Sequence, residues 1–86
     1  MKANYTIRYN TGAGDEEVNG TLDEAKAVAD DGAAYTQQDI VIEDEDGNEV
    51  ARRVWYGVEL TDEYMTDDED KYITFGSFGF YAPWND

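Results

Sequence analysis

Carboxylates are the most numerous side chains in this sequence that carry a reactive or ligating atom. Twenty-one Asp and Glu stand against six Lys and Arg, and the 86 residues include no His and no Cys. Carboxylates alone can bind hard cations, share protons in glycoside hydrolysis, or present a field of negative charge to a basic surface. The calcium pattern is strongest at Asp44-Glu45-Asp46-Gly47-Asn48. Placing Gly47 at the sixth position of a twelve-residue calcium loop puts Ile42 first and Arg53 last, where a carboxylate and a bidentate Glu belong. The Asp-Gly pair instead predicts a hairpin turn. Asp67-Asp68-Glu69-Asp70 has neither a turn glycine nor alternating spacing, and reads as a solvated charge run.

Without His there is no imidazole base or ligand, and without Cys no thiolate, disulfide or sulfur ligand. Ser77, the chain's only serine, sits in Gly76-Ser77-Phe78-Gly79, which lacks nucleophile-elbow spacing and any His to activate it. Thr11-Gly12-Ala13-Gly14 follows a predicted strand as a phosphate loop would. No Gly-Lys-Ser/Thr follows, however, and Asp15-Glu16-Glu17 would repel a phosphate, so a plain turn is expected. A carboxylate pair for glycoside hydrolysis needs a sugar-sized cleft, which one small sheet and one helix can hardly frame. The expectation is a non-enzyme with no cofactor and no metal.

What remains is where the charge lies. The formal net charge is -15. Residues 1–38 hold seven acids and three bases, net -4; residues 39–86 hold fourteen acids and three bases, net -11. Asp39 to Glu49 has six acids and Glu59 to Asp70 has seven, with no base in either block. Along one strand face, alternate side chains lie roughly 6.6 Å apart, close to the spacing of nucleic-acid phosphates. A sheet edge with an acidic loop would therefore imitate a phosphate track. The candidate partner-binding residues are Asp44, Glu45, Asp46, Glu49, Glu59, Asp62, Glu63, Asp67, Asp68, Glu69 and Asp70. Their expected partner is a basic protein surface, such as the groove of a nucleic-acid-binding protein or nuclease complex. Direct binding to nucleic acid or to anionic membranes is not expected, since both repel such a surface.

The elements that must carry these residues fit one α+β domain over 1–86, a mainly antiparallel sheet of four to five strands with one helix on one face. Tyr5, Ile7 and Tyr9 alternate through a first strand from Asn4 to Asn10. A turn over 11–15 leads to a short return, Glu16 to Gly20, with Val18 inward. Thr21-Leu22-Asp23-Glu24 fits a capping box. It predicts a helix from Leu22 with Leu22, Ala25, Val28 and Ala29 as its apolar stripe, Lys26 paired with Asp30, and Gly32 as the C-terminal cap. Ile40-Val41-Ile42 and a return from Glu49 to Leu60 form a hairpin, with Val50, Val54, Tyr56 and Val58 on its inner face. Ala51, Arg53 and Trp55 take the other face, Trp55 joining a second cluster under the C-terminal segment. Tyr72 to Trp84 reads as a final strand bulged at Gly76 and Gly79, fraying after Pro83.

Met1 to Thr6 carries no continuous hydrophobic region, so no signal peptide is expected, and no run is long enough to span a bilayer. The cytoplasm is the expected compartment. Simpler readings of the charge are solubility and adaptation to high salt; only three Lys fits the latter, while twelve aromatics do not call for it. Arg52 and Arg53 are expected to bridge nearby carboxylates. The competing function is an assembly module that pairs, as a homodimer for instance, through a sheet edge or through Phe78, Phe80, Tyr81 and Trp84.

In size, net charge, lack of His and Cys, and the blocks Glu43-Asp44-Glu45-Asp46 and Asp67-Asp68-Glu69-Asp70, the chain resembles the small acidic inhibitors that phages encode, the anti-CRISPR and anti-restriction DNA mimics. The resemblance implies inhibition of a host defence nuclease by occupying its DNA site. It transfers no functional residue, because such inhibitors share no common fold.

Overall fold

A computed structural model describes residues 2–10, 14–33 and 36–86. Strand β1 (Ala3–Arg8) lies between β2 (Glu16–Gly20) and β3 (Ile40–Glu43), and β4 (Glu49–Arg53) pairs with β3, giving an antiparallel sheet of order β2-β1-β3-β4. Tyr5 faces Val18, Ile7 faces Ile42, and Ile42 faces Ala51. Ile7, Ile42 and Ala51 thus form one buried row across three strands, a register that a one-residue slip would turn to solvent. The predicted return Glu16 to Gly20 is β2, with Val18 half-buried. Thr11 to Ala13 of the predicted turn lie outside the described residues.

Helix α1 (Leu22–Gly32) covers the buried row. It starts at the predicted capping box: the Glu24 N–H donates to Thr21 Oγ1 at 3.1 Å and the Thr21 N–H to Glu24 Oε1 at 3.4 Å. Ala25 and Ala29 are fully buried, and their small side chains let the helix lie close to the sheet. Two expectations about its surroundings fail. Lys26 Nζ pairs with Asp86 at 2.6 Å and not with Asp30, whose carboxylate accepts from Trp84 Nε1 at 3.1 Å and faces Arg53 at 3.5 Å. The helix also runs through Gly32 to a right-handed cap at Ala33. Gly32 is needed for close approach, since a Cβ there would sit 2.8 Å from the Tyr9 ring.

The long return strand predicted from Glu49 to Leu60 breaks at Val54. Trp55–Tyr56 forms β5 of a second antiparallel sheet with β6 (Ile73–Thr74) and β7 (Phe80–Tyr81), in the order β5-β7-β6. The inner face of β4 is the opposite of that predicted. Ala51 and Arg53, set against Ile42 and Ile40 by register, are buried, whereas Val50 is half-buried and Tyr56 and Val58 are exposed. Arg53 can be buried because its guanidinium leaves the apolar layer. Nη2 donates to the Lys71 carbonyl at 2.7 Å, and the group stands over the Trp84 ring at 5.6 Å.

The predicted bulged strand over 72–84 is two short strands joined by a 3-10 turn at Gly76–Phe78. Gly76 and Gly79 serve this turn, with φ of 61° and 147°. Beyond Pro83 the chain is tied rather than frayed: Asn85 and Arg52 exchange backbone hydrogen bonds at 2.9 and 3.0 Å, lining part of the outer edge of β4. Trp55 does join a cluster under this segment, 4.8 Å from Tyr81 and 5.9 Å from Phe75. The observed class is α+β, and among the described residues no helix is long and apolar enough to cross a membrane.

Candidate protein-binding surface

The two acidic blocks are built differently. In the hairpin block, Asp44 Oδ1 accepts the N–H groups of Asp46 and Asn48, both at 2.9 Å, and fixes the turn in which Gly47 has φ 83°. Glu45 accepts the Asn4 N–H at 3.1 Å. Glu49 and Asp39 both hold Arg52, at 2.8 and 2.9 Å, and Asp39 also accepts the Trp55 N–H at 2.9 Å. Hydrogen bonding from Arg52 draws the Glu49 carboxyl below the ordinary glutamate range. Glu43 holds Arg8 at 2.8 Å. The stems of Arg8 and Arg52 flank Val41 across the strands, which explains why Val41 is only 7% exposed on the face away from the helix. Of the six acids in this block, only Asp46 has no side-chain partner among the described residues.

The second block runs from β5 to β6 as a loop ending in a 3-10 turn at Glu69–Lys71. Its backbone is anchored locally: Tyr64 and Met65 donate to the Thr61 carbonyl at 3.0 and 3.2 Å, and the Thr66 N–H donates to the Tyr72 hydroxyl at 2.9 Å. Its aromatics fasten it to the second sheet. Phe80, 1% exposed, is ringed by Tyr56, Tyr72 and Tyr64 with centroids 5.0, 5.9 and 6.0 Å away. Asp67 accepts the Asp68 N–H at 2.8 Å and pairs with Lys71 at 3.2 Å, and these contacts, the backbone bond first, hold its carboxyl below the ordinary range. Glu59, Asp62, Glu63, Asp68, Glu69 and Asp70 are exposed and have no side-chain partner among the described residues.

Exposed apolar surface gathers in the same region. Tyr56, Val58, Tyr64 and Phe78 are 42%, 43%, 45% and 74% exposed. A shallow cavity of about 210 Å³, lined by Glu59, Leu60, Met65, Glu69, Thr74 and Gly76, brings the acidic loop up to the turn that carries Phe78. Phe80 and Tyr81 are buried and Trp84 is half-buried, so the predicted aromatic surface retains only Phe78. Sequence reasoning missed Tyr56 and Tyr64. The signal available for Tyr64 was its setting, a single ring within an acidic run.

The eleven candidate residues do not share one track. Strand β4 leaves the hairpin turn and ends at Arg53, whose side chain binds the Lys71 carbonyl, so the two blocks flank opposite ends of a strand about 17 Å long. Strand β5 stops before Glu59, and the second block presents its carboxylates from a loop that ends in a 3-10 turn. No family model, curated protein or solved structure matches the chain. The functional reading therefore rests on the side chains. Among the described residues, no three Asp or Glu converge to hold a metal ion.

Proposed function

We propose that this protein is a non-catalytic binding protein whose acidic loop occupies a basic, nucleic-acid-binding groove of a partner protein. Six carboxylates without a side-chain partner among the described residues, on an aromatically anchored loop beside exposed Tyr56, Tyr64 and Phe78, carry this reading. An anchored loop loses little conformational entropy on docking, exposed rings supply anchors, and surrounding carboxylates steer a basic partner. Such a surface would exclude a polyanion by steric and electrostatic competition. Inhibition of a host defence nuclease by a phage protein is the setting that the class resemblance suggests.

The test is competition with duplex DNA for purified nucleic-acid-binding proteins, nuclease complexes included, at two salt concentrations. The proposal expects one of them to lose DNA to this protein, with affinity falling steeply as salt rises. Substituting Glu59, Asp62, Glu63, Asp68, Glu69 and Asp70 with their amides should weaken the competition about sixtyfold. A complex that tolerates both high salt and this substitution would instead favour an assembly module. The observation that supports this second reading is the outer position of β2, which has no strand on its far side among the described residues.

A further inference from the structure

A second site lies at the end of the acidic loop and shares Asp70 with the surface described above. Between α1, the 3-10 turn at Glu69–Lys71 and the C-terminal segment lies a cavity of about 430 Å³, within the range of small-molecule pockets. Lys26, Arg53 and Lys71, half the bases of the chain, line it. The Arg53 side chain is 5% exposed, yet its hydrogen-bonding capacity is largely unused. Nη2 donates to the Lys71 carbonyl, Nη1 stands 3.5 Å from Asp30, and the buried Nε–H has no partner among the described residues. A buried guanidinium left this way favours an added acceptor.

Charge balance narrows the ligand class. Four carboxylates also line the cavity, so its lining sums to about -1 and would disfavour a phosphate or another dianion. Three of the four face the bases: Asp30 toward Arg53, Asp67 on Lys71 and Asp86 on Lys26. Asp70 also acts on Lys71 through its charge, but Lys71 is held by Asp67, and Asp70 has no hydrogen bond or ion pair of its own among the described residues. Trp84 supplies an apolar wall. We infer that this cavity binds a small amino-acid-like zwitterion, its carboxylate at Arg53, its ammonium at Asp70 and its side chain against Trp84.

The experiment is an NMR titration of the full chain with L-phenylalanine and L-leucine at millimolar concentration, read at the Trp84 indole and Arg53 Nε–H resonances. Saturable shifts are expected. The N-acetyl and carboxamide derivatives, each missing one charge, should bind about tenfold more weakly. Arg53→Lys should weaken binding by a similar factor. Because that variant alters a buried contact and can unfold, Asp70→Asn, on an exposed side chain, provides the independent test and should also weaken binding about tenfold with an unchanged melting temperature. The proposal is overturned if neither amino acid gives a saturable shift, if inorganic phosphate shifts the same resonances as strongly, or if Asp70→Asn binds with unaltered affinity.

Discussion

The hairpin block and the 59–70 loop have nearly the same acid count and opposite uses for it. At the hairpin, five of six carboxylates hold a backbone N–H or an arginine. In the loop, one of seven does among the described residues. The cause is what lies within reach. Arg8 and Arg52 project from strands beside the hairpin carboxylates, and a tight turn points N–H groups at Asp44. Among the described residues the loop's carboxylates pair with one base, Lys71, and the loop anchors itself through rings and backbone bonds instead. Charge density in a sequence therefore does not measure charge available to a partner.

The largest effect should come from removing what anchors the loop. Phe80→Ala deletes the ring on which Tyr56, Tyr64 and Tyr72 converge and should cost about 3–5 kcal/mol. That is a large part of the stability of a domain this size. Denaturant melts would measure it, and amide exchange should show the 59–71 backbone opening more than β1 and β3. Equal opening throughout would mean that the loop is not held by this cluster.

Next in size is the contrast in function. Amide substitution of the six loop carboxylates should weaken partner binding about sixtyfold, from roughly a factor of two per rim charge, with the melting temperature unchanged or higher as self-repulsion falls. Asp46→Asn, at the far end of β4, should leave affinity within about twofold. If both weaken binding equally, the partner reads the whole field and not the loop.

At Asp44 the expectation reverses. Asp44→Ala removes the acceptor of two backbone N–H groups and should destabilise the fold by about 1–2 kcal/mol without changing affinity. Asp44→Asn, which keeps an acceptor oxygen, should recover most of the loss. A stable Asp44→Ala variant with weakened binding would make the hairpin part of the surface.

The sequence revealed local features well and tertiary ones poorly. The capping box, the alternation of β1 and the Asp-Gly turn are short-range patterns, and each forms near its predicted place, although β1 runs from Ala3 to Arg8 and stops short of Tyr9. The inner face of β4 was misread because its inward residues are an alanine and an arginine, which hydropathy does not rank as core. The last strand was misread because glycines that break a strand and glycines that bulge it look alike until Gly79 is seen against the Tyr56 carbonyl. At the surface, the acid blocks were visible, but the partners that occupy one and spare the other come from register.

The smallest effect separates carboxylates by pH. Glu49 is exposed and bonded to Arg52, so its folded-state pKa lies below its unfolded value. Its stabilisation is present above the ordinary glutamate range, near pH ~4.3, and is lost as pH falls through the folded value. Asp30 has the opposite sign. Burial raises its pKa in spite of Arg53 and the Trp84 hydrogen bond, so the folded state takes up a proton before the unfolded one does. Through that window stability rises as pH falls. Carboxyl NMR titration should place the Glu49 midpoint below that of free glutamate and the Asp30 midpoint above that of free aspartate. Glu49→Gln should remove the first step and leave the second. Should Asp30 titrate below free aspartate, its pairing with Arg53 would outweigh desolvation, and the guanidinium would be better satisfied than its unpartnered Nε implies.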